Sequence, residues 1–149
     1  METIKRMFDH VNWANERILS ALCADRSGSA EAAGLFEHVL RAEQVWHARL
    51  QGQDSAHVPL WSEDGVDACV ELAKLNKEAF ASYLARLKPE RLDDVVVYAN
   101  QTGREFRTSI RDILTHVALH GQYHRGQVNA KLRRLGGEPV NVDYITFVR

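Results

Sequence analysis

The last third of the chain carries an apolar stripe at helical spacing, Ile113, Val117, Val128, Leu132 and Leu135, whose middle is occupied by histidine. Steps of three or four residues from Val117 lead to positions 120 and 124. Both are histidine, within "HVALHGQYHRGQ", residues 116–127. Burying an imidazole without a partner costs ~1–3 kcal/mol, so two of them in adjacent turns of a core seam need a reason. One reason is hydrogen bonding to other core polar groups, and the other is a metal ion. Residue types alone leave the two level.

An i, i+4 pair suits chelation because both rings project from one face, a turn apart. Zinc or a similar ion lies ~2.0–2.1 Å from each ligand nitrogen. His116 is a further turn away. The three-histidine ladder spans about 12 Å of helix axis at ~1.5 Å per residue, so one ion does not take all three. His116 is expected on the bundle flank, in a supporting or structural role. A third ligand must come from another element, and His10, His38, His47 and His57 are the candidates. His57 lies in a loop beside Pro59 and is the least constrained. His38 and His47 are nine residues apart on one segment. At ~100° per residue they face opposite ways and should not both point inward. His38 borders the seam of Leu35, Val39, Ala42 and Trp46, which makes it the preferred third ligand, with His10 in reserve. Neither the Glu-x-x-His of carboxylate-bridged sites nor His-Glu-x-x-His occurs in a helical segment.

The remaining periodicity reads as three more helices, at about 3–24, 30–51 and 65–87. "DRSGSAEAAG" breaks the first, Gly52 stops the second and Pro89 ends the third. The third faces inward with Cys69, Leu72, Asn76, Ala79, Tyr83 and Leu87. "DDVVVYANQTGREFRTS" places β-branched and aromatic residues on both sides of a turn. It predicts a small β-hairpin, Val95–Tyr98 with Glu105–Arg107. Ser109 or Thr108 then caps the last helix, which runs to about 136. The tail "VNVDYITFVR" reads as extended chain lying on the bundle. The fold class is therefore all-α, a four-helix bundle with a hairpin before the last helix, in one domain over 1–149. The long links, 52–64 and 88–108, disfavour a simple up-down-up-down tour.

Composition narrows the function classes. The formal net charge is −1 and no long basic run occurs, which argues against nucleic acid. No apolar run approaches the ~20 residues of a membrane span, and the opening segment has no signal-peptide core. Cys23 and Cys69 form no Cys-x-x-Cys and read as reduced core thiols, which makes a cytoplasmic protein the expectation.

"HVALHGQYHRGQV" closely resembles the signature of the DinB/YfiT-like family, whose members are regarded as metal-dependent enzymes. "HVNWANERILSAL" resembles that family's first helix and "LFEHVLRAEQVWHARLQG" its second, and the "DYITF" tail follows in the same order. The resemblance covers nearly the whole chain. It implies a four-helix bundle, often a homodimer, with a divalent ion, commonly zinc or nickel, on His38, His120 and His124. Relatives with assigned activity include transferases and isomerases that use low-molecular-weight thiols.

Three neutral histidines leave a divalent ion an open position, as in catalytic sites, whereas structural zinc sites are closed by four protein ligands. The leading expectation is a small thiol activated there for attack on an electrophilic small-molecule substrate. A hydrolase using water at the same position, or a non-catalytic metal- or ligand-binding bundle, are the alternatives. No catalytic residue is assigned. Arg125 is a weak candidate for an anionic substrate group, but a solvated or capping salt bridge is the preferred reading. Gln127 is a weak candidate to orient a ligand or to bond across helices. Gly121 and Gly126 each cost a helix interior ~1 kcal/mol relative to alanine, and are expected to admit a neighbouring helix or a dimer partner. Trp13 and Trp46 read as core or pocket wall.

Overall fold

The structure, a computed structural model, describes residues 1–26 and 28–149. Ser27, in the break expected after the first helix, lies outside the described residues. The long helices are α1 (Glu2–Ala24), α2 (Ala30–Leu50), α3 (Val66–Arg86) and α4 (Ile110–Arg134). A hairpin of β1 (Val95–Ala99) and β2 (Glu105–Ser109) precedes α4. Its antiparallel register pairs Val95 with Ser109 and Tyr98 with Phe106. The turn is held by Asn100, whose Oδ1 accepts from the amides of Thr102 and Arg104 at 3.0 and 2.9 Å. Gly103 supplies the left-handed φ of +80° that the turn requires. Ser109 caps α4, accepting from the Asp112 amide at 3.0 Å.

The expected helices agree with these bounds to within a residue or two. The tail differs. Val140 is extended and exchanges hydrogen bonds with Asn129, but Tyr144–Val148 then forms a fifth short helix, α5. A run of Val, Tyr, Ile and Phe has strand propensity, and packing overrides it. One helical turn brings Tyr144 and Phe147 together against the His10 ring, at 5.2 and 5.6 Å between centroids.

Pairwise contacts fix the direction of each helix. Glu16 meets Lys77 and Arg26 meets Asp67, so α1 and α3 are antiparallel. Cys69 reaches the Ala33 carbonyl and Asn76 the Leu40 carbonyl, so α2 and α3 are parallel. Glu31 meets Lys131, which makes α2 and α4 antiparallel. Helices α1 and α2 each pack on α3 and α4 and face one another across the diagonal. The long link 51–65 is the consequence: parallel neighbours need a return path along the bundle. Among the described residues, no helix is long and apolar enough to cross a membrane.

The core has two apolar halves. One gathers Ile18, Leu22, Phe36, Leu40, Val128 and Leu132; the other Phe8, Phe80, Leu84, Ile113, Leu114 and Val117. Between them lies a buried polar layer with one residue from each long helix. Arg125, 0% exposed, donates to Asn15 Oδ1 at 2.7 Å. Asn15 donates to Glu43 Oε1 at 3.2 Å, and Asn76 donates to Glu43 Oε2 at 2.9 Å. Burial pushes the Glu43 carboxyl above its ordinary range against the opposing pull of Arg125 and the two amides. Burial likewise pushes the Arg125 guanidinium down to about 10, with Glu43 opposing.

The two ions can escape isolation differently. A buried carboxyl left alone takes up a proton, but a guanidinium keeps its charge. Glu43→Gln is therefore expected to cost ~3–5 kcal/mol, as for one half of a buried pair, and Arg125→Met distinctly less. Urea denaturation of both variants at neutral pH checks this ordering, and a larger loss in Arg125→Met would refute it.

Candidate metal centre

Helix α4 presents His120 and His124 on successive turns toward α2, which presents His38, 8% exposed. One ring nitrogen from each of the three lies within 4.8 Å of the others. Nε2 of His124 is 3.1 Å from Nε2 of His120. Two nitrogens bound tetrahedrally to one ion at ~2.0–2.1 Å would be about 3.3 Å apart, so the pair already has near-chelating geometry.

The outer nitrogens are tied down. His38 Nδ1 donates to the Leu60 carbonyl at 2.9 Å, and His124 Nδ1 donates to Gln127 Oε1 at 2.6 Å. Each bond fixes the tautomer with a lone pair on Nε2, as ligating histidines require. Two lone pairs cannot face one another at 3.1 Å without a proton or a cation between them. Burial lowers His38, and it lowers His120 to about 4 with help from His124, His116, His38 and Arg125. The His38 and His120 rings are neutral donors at neutral pH. The donor set fits a divalent ion of intermediate softness such as zinc or nickel.

The other histidines lie elsewhere. His116 is edge-on to Trp46 at 4.9 Å, beside the group but outside it. His10 bonds the Val142 carbonyl at 2.8 Å, across the bundle. His57 is exposed in the link. His47 packs edge-on against Phe80 and Tyr83 of α3. His38 and His47 do occupy opposite faces of α2, yet both are substantially buried, because α2 is covered by α4 on one side and α3 on the other.

Several expectations need correction. Arg125 is neither solvated nor at a cap; it belongs to the buried layer, one residue from His124 but turned away from it. Gly121 admits that guanidinium rather than another helix, since a Cβ there would lie 3.0 Å from Arg125 Nη1. A Cβ on Gly126 would meet nothing within 4 Å, so no helix of this chain needs that glycine. Cys23 is exposed, not core. Cys69 is buried, and burial, then Glu37, pushes its thiol up to about 12. Neither joins the histidines. Trp13 and Trp46 are partly buried walls, as expected.

Helical periodicity missed the link that completes the site. Glu37, fully buried beside His38, accepts from the Ser62 hydroxyl and from the Asp64 amide at 3.0 Å. Arg41 bridges Glu37 and Asp64 at 3.3 and 3.0 Å. The clamp sets Trp61 on His38, stacked at 3.8 Å and 10°. Glu37 next to His38 was the available signal, a carboxylate on a helix with no solvent face to spare.

Five histidines, His10, His38, His47, His116 and His120, titrate below their ordinary value, each mainly through burial. Below about pH 6.5 the unfolded chain takes up protons that the fold refuses. Stability of the metal-free protein is thus complete above that value and falls as pH drops toward about 4, where His120 titrates. Urea midpoints at several pH values should show the decline, and His120→Leu should flatten it; a pH-independent midpoint would contradict the assignment.

The profile of the DinB family matches residues 1–149. Protein DinB of Bacillus subtilis (strain 168) is 34% identical over 55 residues, covering 37% of this chain and 32% of that protein, so the match spans about a third of the relative's length. The crystal structure of a DinB-like protein from Bacillus cereus has the same fold, with a TM-score of 0.68 at 16% identity over 96% of this chain and 97% of that one. With the profile spanning every residue of the bundle, the chain belongs to the DinB family.

Proposed function

We propose that the chain is a divalent-metal-dependent enzyme that transfers a low-molecular-weight thiol to an electrophilic small molecule. One observation carries the reading: His38, His120 and His124 converge without a fourth histidine, cysteine or carboxylate among the described residues. A three-imidazole set is the catalytic pattern, and a closed structural site would need one ligand more. The non-catalytic binding bundle is the weaker reading for that reason.

The chain's own residues have simple tasks. His38, His120 and His124 would hold the ion, zinc or nickel. The Leu60 carbonyl and Gln127 Oε1 keep two of the rings in the ligating tautomer. Burial keeps His38 and His120 unprotonated. The ion, when bound, supplies a Lewis acid that makes a thiol easier to deprotonate. Cys23 and Cys69 stand outside the group, so the thiol comes from a second small molecule. In the transfer, the S–H proton goes to solvent, sulfur uses its electron pair to form the S–C bond, and the leaving group departs with the pair of the C–X bond. No oxidant is needed. Homodimerisation and a cytoplasmic location complete the proposal. Light scattering tests the dimer, with an expected mass of twice 16.9 kDa.

Elemental analysis should find about one divalent ion per chain in the wild type and little in His38→Ala, His120→Ala or His124→Ala. Equal metal in all four samples would end the assignment. Gln127→Ala should retain the ion but bind it roughly 10–100-fold more weakly, as for loss of a hydrogen bond to a ligand. Turnover of an alkyl or epoxide electrophile should require added thiol; turnover without thiol would favour the hydrolase.

A further inference from the structure

The link between α2 and α3 holds an aromatic ring where solvent can reach it. Trp61 is 65% exposed, yet it is among the most firmly positioned residues of the link. The preceding carbonyl, Leu60, is bonded to His38. The following residues, Ser62 and Asp64, are bonded to the buried Glu37 carboxylate. One face of the indole stacks on His38. A ring that served only to cover His38 would have no second wall to form. Trp61 also lines a cavity of about 870 Å³ that runs beside α2 past Gly34 and Leu35 toward Lys131. That volume lies within the ~300–1,000 Å³ of small-molecule sites.

Two details of this cavity say what it takes. Gly34 lies one turn before His38, and a Cβ there would meet nothing within 4 Å, so the wall is open at that point. The cations of the wall are already engaged: Arg26 pairs with Asp67 and Lys131 with Glu31, at 2.7 and 2.8 Å. Glu63, also on the wall, adds a carboxylate. Nothing in that charge pattern favours an anion, whereas the indole offers a flat apolar face for offset stacking.

We infer that Trp61 and the cavity past Gly34 form a subsite that binds an uncharged planar ring of the substrate or thiol, beside the three histidines. The inference rests on the proposed metal-dependent reading for its place in a reaction, but the cavity walls include none of the three histidines. Trp61 contributes specificity: it selects which small molecule lies next to the ion, and its stacking on His38 couples that selection to the ligand ring.

The test uses the full chain loaded with Co²⁺, titrated with benzyl mercaptan and with 2-mercaptoethanol and followed by the thiolate-to-cobalt charge-transfer absorption. Metal-free protein is dialysed against 2-naphthol in parallel. Benzyl mercaptan is expected to bind about tenfold more tightly than 2-mercaptoethanol, a preference that ring stacking and burial together can supply. Trp61→Ala should bring the ratio near one, and Trp61→Phe should restore most of it. Gly34→Leu puts a side chain into the cavity one turn from His38 while removing none of the three histidines, and should abolish the preference too, so the outcome does not hang on a single variant. Naphthol binding should fall in both Trp61→Ala and Gly34→Leu. An undiminished preference and undiminished naphthol binding in both variants would overturn the subsite. Failure to take up Co²⁺, with naphthol binding still lost in both variants, would overturn the metal reading and leave the subsite standing.

Discussion

Arg125, Asn15, Glu43 and Asn76 each come from a different long helix, and their hydrogen bonds set the mutual rotation of all four. Apolar packing above and below the layer supplies most of the stabilisation, because each fully buried Leu, Ile or Phe contributes ~1.5–3 kcal/mol. Such packing tolerates small rotations. A buried guanidinium and carboxyl joined through the Asn15 amide do not, since a turned helix would leave a polar group in the core without its partner. Arg125 follows His124 directly, so the angle at which α4 enters the polar layer also sets the angle at which His120 and His124 meet α2.

The same logic acts on α2. Glu43 lies in the layer and His38 at the histidine group, five residues apart on one rigid rod. Fixing Glu43 between Asn15 and Asn76 directs His38 toward α4. Glu37, beside His38, spends its charge differently: it draws the link down onto the helix. Two buried carboxylates on α2 thus do separate jobs, one ordering helices and one ordering a loop.

Much of this was readable in advance. The phase of α2 favoured His38, and the α4 seam brought His120 and His124 to the side facing α2, because helical period alone determines which residues share a face. Yet both are only half-buried, and the core places between Val117 and Val128 that the sequence assigned to them belong to Gly121 and Arg125. Asn76 already fell on the inward stripe of α3, a hint of the polar layer. Arg125 was misread because a lone arginine beside a histidine looks like surface; only the three-dimensional meeting of α1, α2 and α4 gives it a buried partner. Trp61 and Leu60 sit in a segment without periodicity, so nothing in the local pattern placed them. The tail was read as extended throughout, and contact with His10 makes its last part, Tyr144–Val148, a helical turn instead.

The return path between the parallel helices α2 and α3 has a consequence beyond connectivity. The chain must retrace the side of α2 from Leu50 toward Ala33, and it crosses His38 on the way. Doubling the length of such a surface crossing adds only about 0.6 kcal/mol of closure entropy. This one stretch can therefore be exchanged or lengthened with the helical scaffold kept intact, giving a different wall over the three imidazoles. On the proposed reading, divergence of substrate range is accordingly cheapest in a part of the chain that contributes none of the three imidazoles.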